Sequence, residues 1–296
     1  KIDKLNGSSF WQSSSWAGTA AAGIEDFLIE EGGRLGEVYG YKTDGFYTAD
    51  DFTFDAEKGT YALKAGVNDC SSLIGGKVYP GSIKLKANED GEYKKERLGN
   101  TVPTVSGGFG LNARWKGFDF TAFFNYSLGN KIVNATKLGS SFYSGSSKNW
   151  NINDHFTSAN RYSWIDPSTG TNLLSSASIK ANGEAWTINR LNEVNTGSSI
   201  WNPAAATVMP LVDWAVEDGS FLRVNNITIG YTLPKLFVSK LNIQNIRIYV
   251  TGYNLHCFTK YSGTDPEVDC CTSTPMTPGI DYAAYPKSRS FVGGIN

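Results

Sequence analysis

The chain has 296 residues and a formal net charge of −1, and 13% of its residues are aromatic. This length accommodates one large β domain or two ordinary ones. Because the net charge is close to zero, neither nucleic acid nor an acidic lipid surface is a predicted partner. No run of about 18 apolar residues occurs. This excludes a transmembrane helix but leaves open a membrane barrel, whose strands are half polar.

The residue types that carry catalysis or bind metals are few and scattered. None of the four cysteines stands in a CxxC motif, and with only two histidines no zinc site is predicted. The cysteines fall in or beside segments that resemble loops, and their pairing cannot be inferred: they are Cys70, Cys257, Cys270 and Cys271. Paired carboxylates lie in loop-like segments, and no nucleotide-binding motif is present. We therefore predict no enzyme, no catalytic residue and no cofactor.

The first third of the chain has little periodicity. KIDKLNGSSF lacks the features of a signal peptide, and residues 1–6 resemble the end of a strand. Residues 7–104 are rich in Gly, Ser, Asp and Asn, which favours a long loop. Within that loop, residues 24–31 are a short helical candidate.

Two alternating runs then follow across one tight turn, from Val105 to Leu128. In the first run apolar residues from Val105 to Trp115 share one face, and in the second those from Phe118 to Tyr126 do so. Lys116-Gly117 separates the runs. This pattern predicts a β-hairpin with one apolar and one mostly polar face.

The remainder of the chain alternates between irregular stretches and strands. Asn225-Asn226 marks a change of phase in the third strand, which indicates a β-bulge. A compact connection with one helical turn at 235–241 separates the third strand from the fourth. The long loops are predicted at about 129–219 and 257–286, and the strands at Phe221–Leu233, Asn245–Leu255 and Ser288–Asn296.

Two classes of protein contain such strands. In a soluble sandwich the apolar face packs a core, whereas in an outer-membrane barrel it contacts lipid and the polar face lines a lumen. The connections here alternate strictly between long and short. Outer-membrane barrels have this alternation, with short periplasmic turns and long outer loops, so the pattern favours the barrel.

Several segments, taken together, resemble the SusC-like TonB-dependent outer-membrane transporters. They occur in that family's order and extend over nearly the whole chain. They are GEVYGYKTDGFY (36–47), LGNTVPTVSGGFGLNARWKGFDFTAFFNYSLGNKIVN (98–134), DGSFLRVNNITIGYTLPK (218–235), IRIYVTGYNLHCFTKYSGTDPEV (246–268) and GIDYAAYPKSRSFVGGIN (279–296). The resemblance implies an all-β fold, a transmembrane antiparallel β-barrel, with residues 1–296 supplying about the last five strands.

The resemblance also implies partners that this chain does not contain. They are the remainder of the same barrel, a plug domain absent from this chain, TonB acting through that plug, and a SusD-like surface lipoprotein. The barrel would lie in the outer membrane of a Gram-negative cell, in contact with the lipid bilayer, with its long loops extracellular. Members of the family often have an Asp-rich calcium-type loop. Here that place reads KANEDGEYKKE (86–96), which lacks the first carboxylate and favours a solvated charged turn over a metal site.

Candidate ligand-binding residues fall into two groups. A tryptophan-rich loop offers rings that stack on sugars or peptide side chains, beside polar groups: Trp150, Asn151, Asp154, Tyr162 and Trp164. The expected lumen-facing positions are Arg114, Arg247, Tyr249 and Tyr253. The alternative interpretation of the aromatic residues is that they only hold a long loop in place. Asp265-Pro266-Glu267 is expected to brace a turn.

The function predicted from these features is energy-coupled import of oligosaccharides or peptides across the outer membrane, within a SusCD-like complex. The alternative is a secreted, soluble β-rich carbohydrate-binding module or glycosidase domain. The motifs do not decide between glycan and peptide cargo. Phe109, Phe124 and Ile248 distinguish the two functions, because only the soluble protein would cover them with a second layer.

Overall fold

The computed structural model describes residues 2–5, 10–12, 26–143, 151–238, 243–267 and 276–296. Within these ranges the chain forms one long sheet and a set of shorter elements. The strands are β1 (Phe10–Gln12), β2 (Phe27–Ile29), β3 (Glu37–Gly40), β4 (Thr43–Phe46), β5 (Phe52–Asp55), β6 (Thr60–Leu63), β7 (Ile83–Leu85), β8 (Glu96–Asn100), β9 (Val105–Trp115), β10 (Phe118–Leu128), β11 (Lys131–Asn134), β12 (Val216–Asp218), β13 (Phe221–Thr232), β14 (Arg247–Thr259), β15 (Ile280–Asp281) and β16 (Ser290–Ile295). The α-helices are α1 (Ser71–Ile74), α2 (Ala135–Gly139), α3 (Ser176–Val194) and α4 (Lys235–Val238), and short 3₁₀ turns lie at Ala49–Asp51, Pro203–Ala205 and Asp213–Ala215.

The long sheet is antiparallel and has the order β16-β14-β13-β10-β9. Its strands are the five that the alternating pattern predicts, with ends that differ by a few residues. Strands β9 and β10 each have 11 residues. At about 3.4 Å per residue and a tilt near 40°, such a strand rises about 29 Å, close to the thickness of a bilayer's hydrocarbon core.

The turn between β9 and β10 follows directly from its two residues. Lys116 and Gly117 both have positive φ, 47° and 91°. Two consecutive positive φ angles match the right-handed twist of the flanking strands, and Gly adopts them without strain. Trp115 and Phe118 therefore pair directly across the turn.

A β-bulge in β13 lies where the sequence predicts it. On β10 the consecutive residues Phe123 and Phe124 pair with Asn226 and Val224, so Asn225 is left out of that ladder. The additional residue shifts the alternation by one position, which places Val224 on the same face as the apolar residues that follow the bulge. The bulge therefore explains the change of phase in the sequence.

The long sheet has two different faces. The outer face carries large apolar side chains that remain exposed, with 45% exposure at Phe109, 52% at Leu111, 56% at Ile229, 54% at Val250 and 72% at Phe291. The inner face carries the intervening, mostly polar residues.

Phe109, Phe124 and Ile248 are not covered by a second layer among the described residues. Phe109 is 45% exposed and Ile248 is 47% exposed. Phe124 is half-buried and stacks on Phe109, with ring centroids 4.9 Å apart. This arrangement agrees with the barrel and not with a soluble sandwich.

In the first two long stretches that the sequence predicts as loops, the described residues form strands, helices and a core. Elements β2–β8, β11, β12, β15 and α1–α3 form what we call the loop body. Its core combines side chains from both stretches, such as Val38, Tyr47 and Ile83 from the first and Leu138, Leu191 and Met209 from the second. Backbone hydrogen bonds also join them, for example from Tyr41 N to Leu211 O at 2.8 Å.

Several sequence expectations about these stretches are wrong. The helical candidate at 24–31 contains strand β2, whose three residues are all buried, because Phe27, Leu28 and Ile29 contribute to a core that only the fold assembles. Residues 2–5 form no strand, although Ile2 exchanges backbone hydrogen bonds with Gly32 and Gly33. Helix α3 has no counterpart in the prediction.

The fourth strand is longer than predicted. It continues through Cys257 to Thr259, so that cysteine lies in a strand and not in a loop. The helical turn after the third strand is confirmed for Lys235–Val238. Residues 239–242, which complete that connection, lie outside the described residues.

Candidate functional site

The inner face of the sheet carries an ion pair close to the tight turn. Arg114, Asp119, Gly230 and Tyr249 stand in register on β9, β10, β13 and β14. The Arg247 guanidinium donates two hydrogen bonds to the Asp119 carboxylate, at 2.9 and 2.6 Å. The pair crosses above Gly230, where a Cβ atom would lie 2.6 Å from both groups. A larger residue at this position would therefore have to displace the ion pair.

Three of the four predicted lumen residues belong to this region. The Arg247 guanidinium lies 5.0 Å from the centroid of the Tyr249 ring, which stacks a cation on an aromatic face. Arg114 is exposed and forms no ion pair with any described residue. Arg114, Asp119 and Arg247 line a cavity of about 560 Å³ beside the turn. Such a surface can donate hydrogen bonds to hydroxyl and carboxylate groups.

The fourth predicted lumen residue, Tyr253, lies farther from the turn. Phe123, Asn226 and Tyr253 form one row across three adjacent strands. Phe123 and Tyr253 are each 41% exposed, and both lie on the polar side of the sheet. Two aromatic rings beside an amide can stack on a ligand and also hydrogen-bond to it. The structure adds Phe123 and Asn226 to the candidates. Strand alternation also places Phe123 on this face.

A buried charged cluster at the end of the inner face farthest from the turn was not predicted as a whole. The Arg223 guanidinium donates to the carboxylates of Asp265 and Glu267. Glu267 also accepts a hydrogen bond from Asn125 Nδ2 at 3.1 Å and one from Lys287 Nζ at 2.8 Å. The cluster holds the third loop against the strands. Asp265 and Glu267 therefore brace a turn, as predicted, and the bulge in β13 is the signal that identifies Arg223 as their partner.

The loop candidates do not gather into one site. Asn151 is exposed, and the Asp154 side chain is 97% exposed, with its carboxylate 3.2 Å from His155 Nδ1. His155 in turn contacts the edge of Trp214, with ring centroids 5.9 Å apart. Trp150 lies outside the described residues. Asn151 and Asp154 are therefore available at the surface of the loop body.

Tyr162 and Trp164 lie in a different environment. Tyr162 is 2% exposed and packs edge-on against Phe46. Burial raises the pKa of its phenol above the ordinary value. Trp164 is half-buried, and its indole Nε1 donates to Pro80 O at 2.6 Å. These contacts favour the alternative that the two rings hold the loop in place.

The calcium-type segment forms a turn. Asn88 Oδ1 accepts hydrogen bonds from the backbone N–H groups of Asp90 and Glu92, at 3.1 and 2.8 Å. The Lys94 ammonium lies 2.9 Å from the Glu92 carboxylate and holds the pKa of that carboxyl below its usual range. Among the described residues no group of three or more His, Cys, Asp or Glu side chains is arranged to hold a metal ion.

Two of the four cysteines can be placed. Cys70 is a buried free thiol in the loop body and Cys257 is a half-buried free thiol in β14. Burial raises the pKa of the Cys70 thiol. Cys270 and Cys271 lie outside the described residues. Across the ranges that are described, no helix combines the length and the apolar character needed to cross a membrane.

Comparison with known proteins identifies the type of molecule. No protein-family model matches the chain. The TonB-dependent receptor P3 of Formosa agariphila is 30% identical over 274 residues, which cover 91% of this chain and 22% of that protein. The TonB-dependent receptor SusC of Bacteroides thetaiotaomicron is 34% identical over 86 residues, which cover 28% of this chain and 8% of that protein. The chain is a SusC-like segment of the TonB-dependent receptor type.

The fold of this SusC-like chain agrees with that assignment. The structure of the RagAB peptide transporter superposes with a TM-score of 0.55 at 19% identity, covering all of this chain and 25% of that one. The predicted fold class is thereby confirmed, and the five-stranded sheet is part of a transmembrane antiparallel β-barrel. The named relatives are TonB-dependent receptors, and the superposed structure is that of a peptide transporter. It spans about a fifth of the length of the P3 receptor.

Proposed function

We propose that this chain forms part of the wall and the outer loops of a transporter that imports oligosaccharides or peptides across the outer membrane. TonB supplies the energy through a plug domain, and a SusD-like surface lipoprotein helps to hold the cargo. The loop body faces the extracellular side. The remainder of the barrel is provided by chain outside these 296 residues.

The observation that carries this proposal is the contrast between the two faces of the long sheet. On the outer face the exposed side chains are aliphatic and aromatic, such as Leu111 and Val250, which are 52% and 54% exposed. On the inner face the Thr228 and Thr251 hydroxyls share a hydrogen bond at 2.8 Å, and Thr121 Oγ1 lies 3.0 Å from Asn112 Oδ1. Lipid solvates the first surface and water the second, which is the arrangement of a barrel with an aqueous interior.

The connections support the orientation of the loops. Two residues join β9 to β10, and residues 233–246 join β13 to β14, whereas residues 129–220 and 260–289 form the other two connections. The long connections leave from the end of the sheet opposite the Lys116-Gly117 turn. Outer-membrane barrels have short turns on the periplasmic side and long loops outside, and this regularity supports an extracellular loop body.

The edges of the sheet support a larger assembly. Among the described residues β9 and β16 each pair on one side only. In lipid each unsatisfied backbone group costs several kcal/mol, so an open edge there is unstable. Strands from the rest of the same barrel are the partners that close both edges.

The proposal is tested on the complete transporter. An affinity-tagged full-length protein is purified in detergent, and copurified ligands and proteins are identified by mass spectrometry. We expect a glycan or a peptide, together with a surface lipoprotein. Cells are then compared for uptake of that ligand with and without TonB, and uptake should require both TonB and the transporter. Equal uptake in cells that lack the transporter contradicts the proposal.

The soluble alternative is tested separately by its solubility. A secreted carbohydrate-binding module or glycosidase domain would stay monomeric without detergent. A barrel should need detergent and should migrate differently on a gel before and after heating. In this chain Phe109 and Ile248 are 45% and 47% exposed, which favours the behaviour of a barrel.

A further inference from the structure

A cavity lies on the surface of the loop body, between the segment 158–167 and the C-terminal end of α3. Its volume is about 250 Å³. Its walls combine small polar groups with apolar side chains and are formed by Ser158, Ala159, Arg161, Ser163, Ile165, Pro167, Val194, Gly197 and Ser198. A space of this size accommodates about one amino-acid residue or one sugar ring.

The walls of the cavity are fixed by buried polar contacts. The Arg190 guanidinium holds the Asp166 carboxylate through two hydrogen bonds at 2.7 and 2.8 Å, and Asp166 is 3% exposed. Asn195 accepts a hydrogen bond from Ser163 N at 2.6 Å and donates one to Ser163 O at 2.9 Å. Both contacts attach the segment to α3. The cavity is therefore preformed, and a ligand does not have to order its walls.

Arg161 differs from the nearby arginine in its charge partners. Arg190 is neutralised by two carboxylates, those of Asp166 and Glu193. Arg161 is exposed and forms no ion pair with any described residue. Its backbone is nevertheless held, because Arg161 N donates to Thr157 O at 3.1 Å and Ser198 Oγ donates to Arg161 O at 3.2 Å. Arg161 thus lines the cavity on a fixed backbone, and its guanidinium has no ion-pair partner among the described residues.

We propose that this cavity binds a carboxylate group of the cargo, with Arg161 as its ion-pair partner. A guanidinium forms two parallel hydrogen bonds to a carboxylate, which gives both affinity and orientation. Ile165, Pro167 and Val194 provide an apolar wall for the carbon atoms beside that group. The C-terminal carboxylate of a peptide and the carboxylate of an acidic sugar share this chemistry. The inference rests on the proposed function for the nature of the cargo.

The experiment measures equilibrium binding to the full-length transporter in detergent by isothermal titration calorimetry. The probes are N-acetyl-L-alanine and D-galacturonic acid, and their uncharged counterparts are N-acetyl-L-alaninamide and D-galactose. We expect at least one acid to bind, and Arg161→Gln to weaken that binding at least tenfold, as the loss of a charge-assisted hydrogen bond requires. Neither uncharged probe should respond to the substitution. Which acid binds distinguishes a peptide cargo from an acidic glycan.

Lys58→Gln is the matched control. Lys58 is an exposed lysine of the same loop body whose ammonium lies 3.0 Å from the Asp55 carboxylate, so its substitution removes the same charge without touching the cavity. It should leave binding unchanged. The inference is overturned if neither acid binds the wild-type protein, or if Arg161→Gln and Lys58→Gln bind the acids equally well.

This result is independent of transport. The titration needs neither TonB nor a membrane potential, so loss of uptake with retained carboxylate binding contradicts only the transport proposal. Retained uptake without carboxylate binding contradicts only the assignment of this cavity.

Discussion

Substitution of Arg223 by Gln tests the buried cluster that holds the third loop against the barrel wall. The Arg223 and Asp265 side chains are 5% and 4% exposed, and Glu267 is 19% exposed. Removing one partner of a buried ion pair typically costs about 3–5 kcal/mol, because the other charge stays buried without compensation. Lys287 remains 2.8 Å from Glu267 and offsets part of the loss. We therefore expect about 3 kcal/mol, the lower end of that range.

The assay is urea-induced unfolding of the full-length protein in detergent, with the free energy of unfolding obtained by linear extrapolation. Lys287→Gln is the control, since its side chain is 47% exposed and its loss should cost less than about 1 kcal/mol. Adding Asp265→Asn to Arg223→Gln should restore part of the stability, because the uncompensated charge is then removed. If Arg223→Gln is no more destabilising than the control, the buried ion pair does not stabilise the fold.

Three further substitutions test the facing of the strands, the inner wall and the loop body. Leu111→Arg, on the outer face near mid-membrane depth, should cost about 2–4 kcal/mol in a folding titration. Asn112→Arg changes the next residue, which lies on the inner face, and should cost less than about 1 kcal/mol. The opposite order would mean that the faces are inverted. Gly230→Ala should cost about 1–3 kcal/mol in unfolding experiments, because the added Cβ would separate the inner-face ion pair. Gly110→Ala should be nearly neutral, because its added Cβ would lie no closer than 3.6 Å to any neighbouring atom. Hydrogen bonds from a guanidinium hold the pKa of Asp166 well below its usual range, so its contribution to stability is complete above about pH 4 and is lost as the pH falls through the lowered pKa. Asp166→Asn should therefore lower the melting temperature at pH 7, and the difference from the wild type should shrink at pH 3.

The barrel strands could be predicted because their information is local. Alternation along β9 and β10 specifies which side chains face lipid, and Lys116-Gly117 specifies the turn between them. Even the bulge at Asn225 is visible as a change of phase. These features depend on neighbouring residues and on the medium at each face, and both can be inferred from the printed sequence.

The loop body could not be predicted because its core is assembled from distant segments. Helix α3 has few buried apolar residues, among them Ile179 and Leu191, and Gly183 interrupts it with φ at 77°. No apolar stripe therefore marks the helix in the sequence. Strand β2 is only three residues long and is buried by contacts made far along the chain. Local periodicity does not predict such contacts.

The candidate site also contains residues that the sequence predicts and residues that only the structure reveals. The inner-face residues Arg247 and Tyr249 were found from strand alternation, and the structure places them together. Alternation alone does not predict the facing of Arg223, because that facing depends on the register beyond the bulge. Tyr162 was chosen for its residue type, and only the folded chain reveals that its side chain is enclosed.

The common core of the loop body constrains which segments can be exchanged between related proteins. Val38 and Ile83 from one connection are buried with Leu138 and Met209 from another, so neither segment is complete by itself. Transplanting only one of these segments from a relative would leave half of an apolar interior without its counterpart. Chimeras that exchange both segments together should fold, whereas chimeras that exchange one should be prone to aggregate or to be degraded.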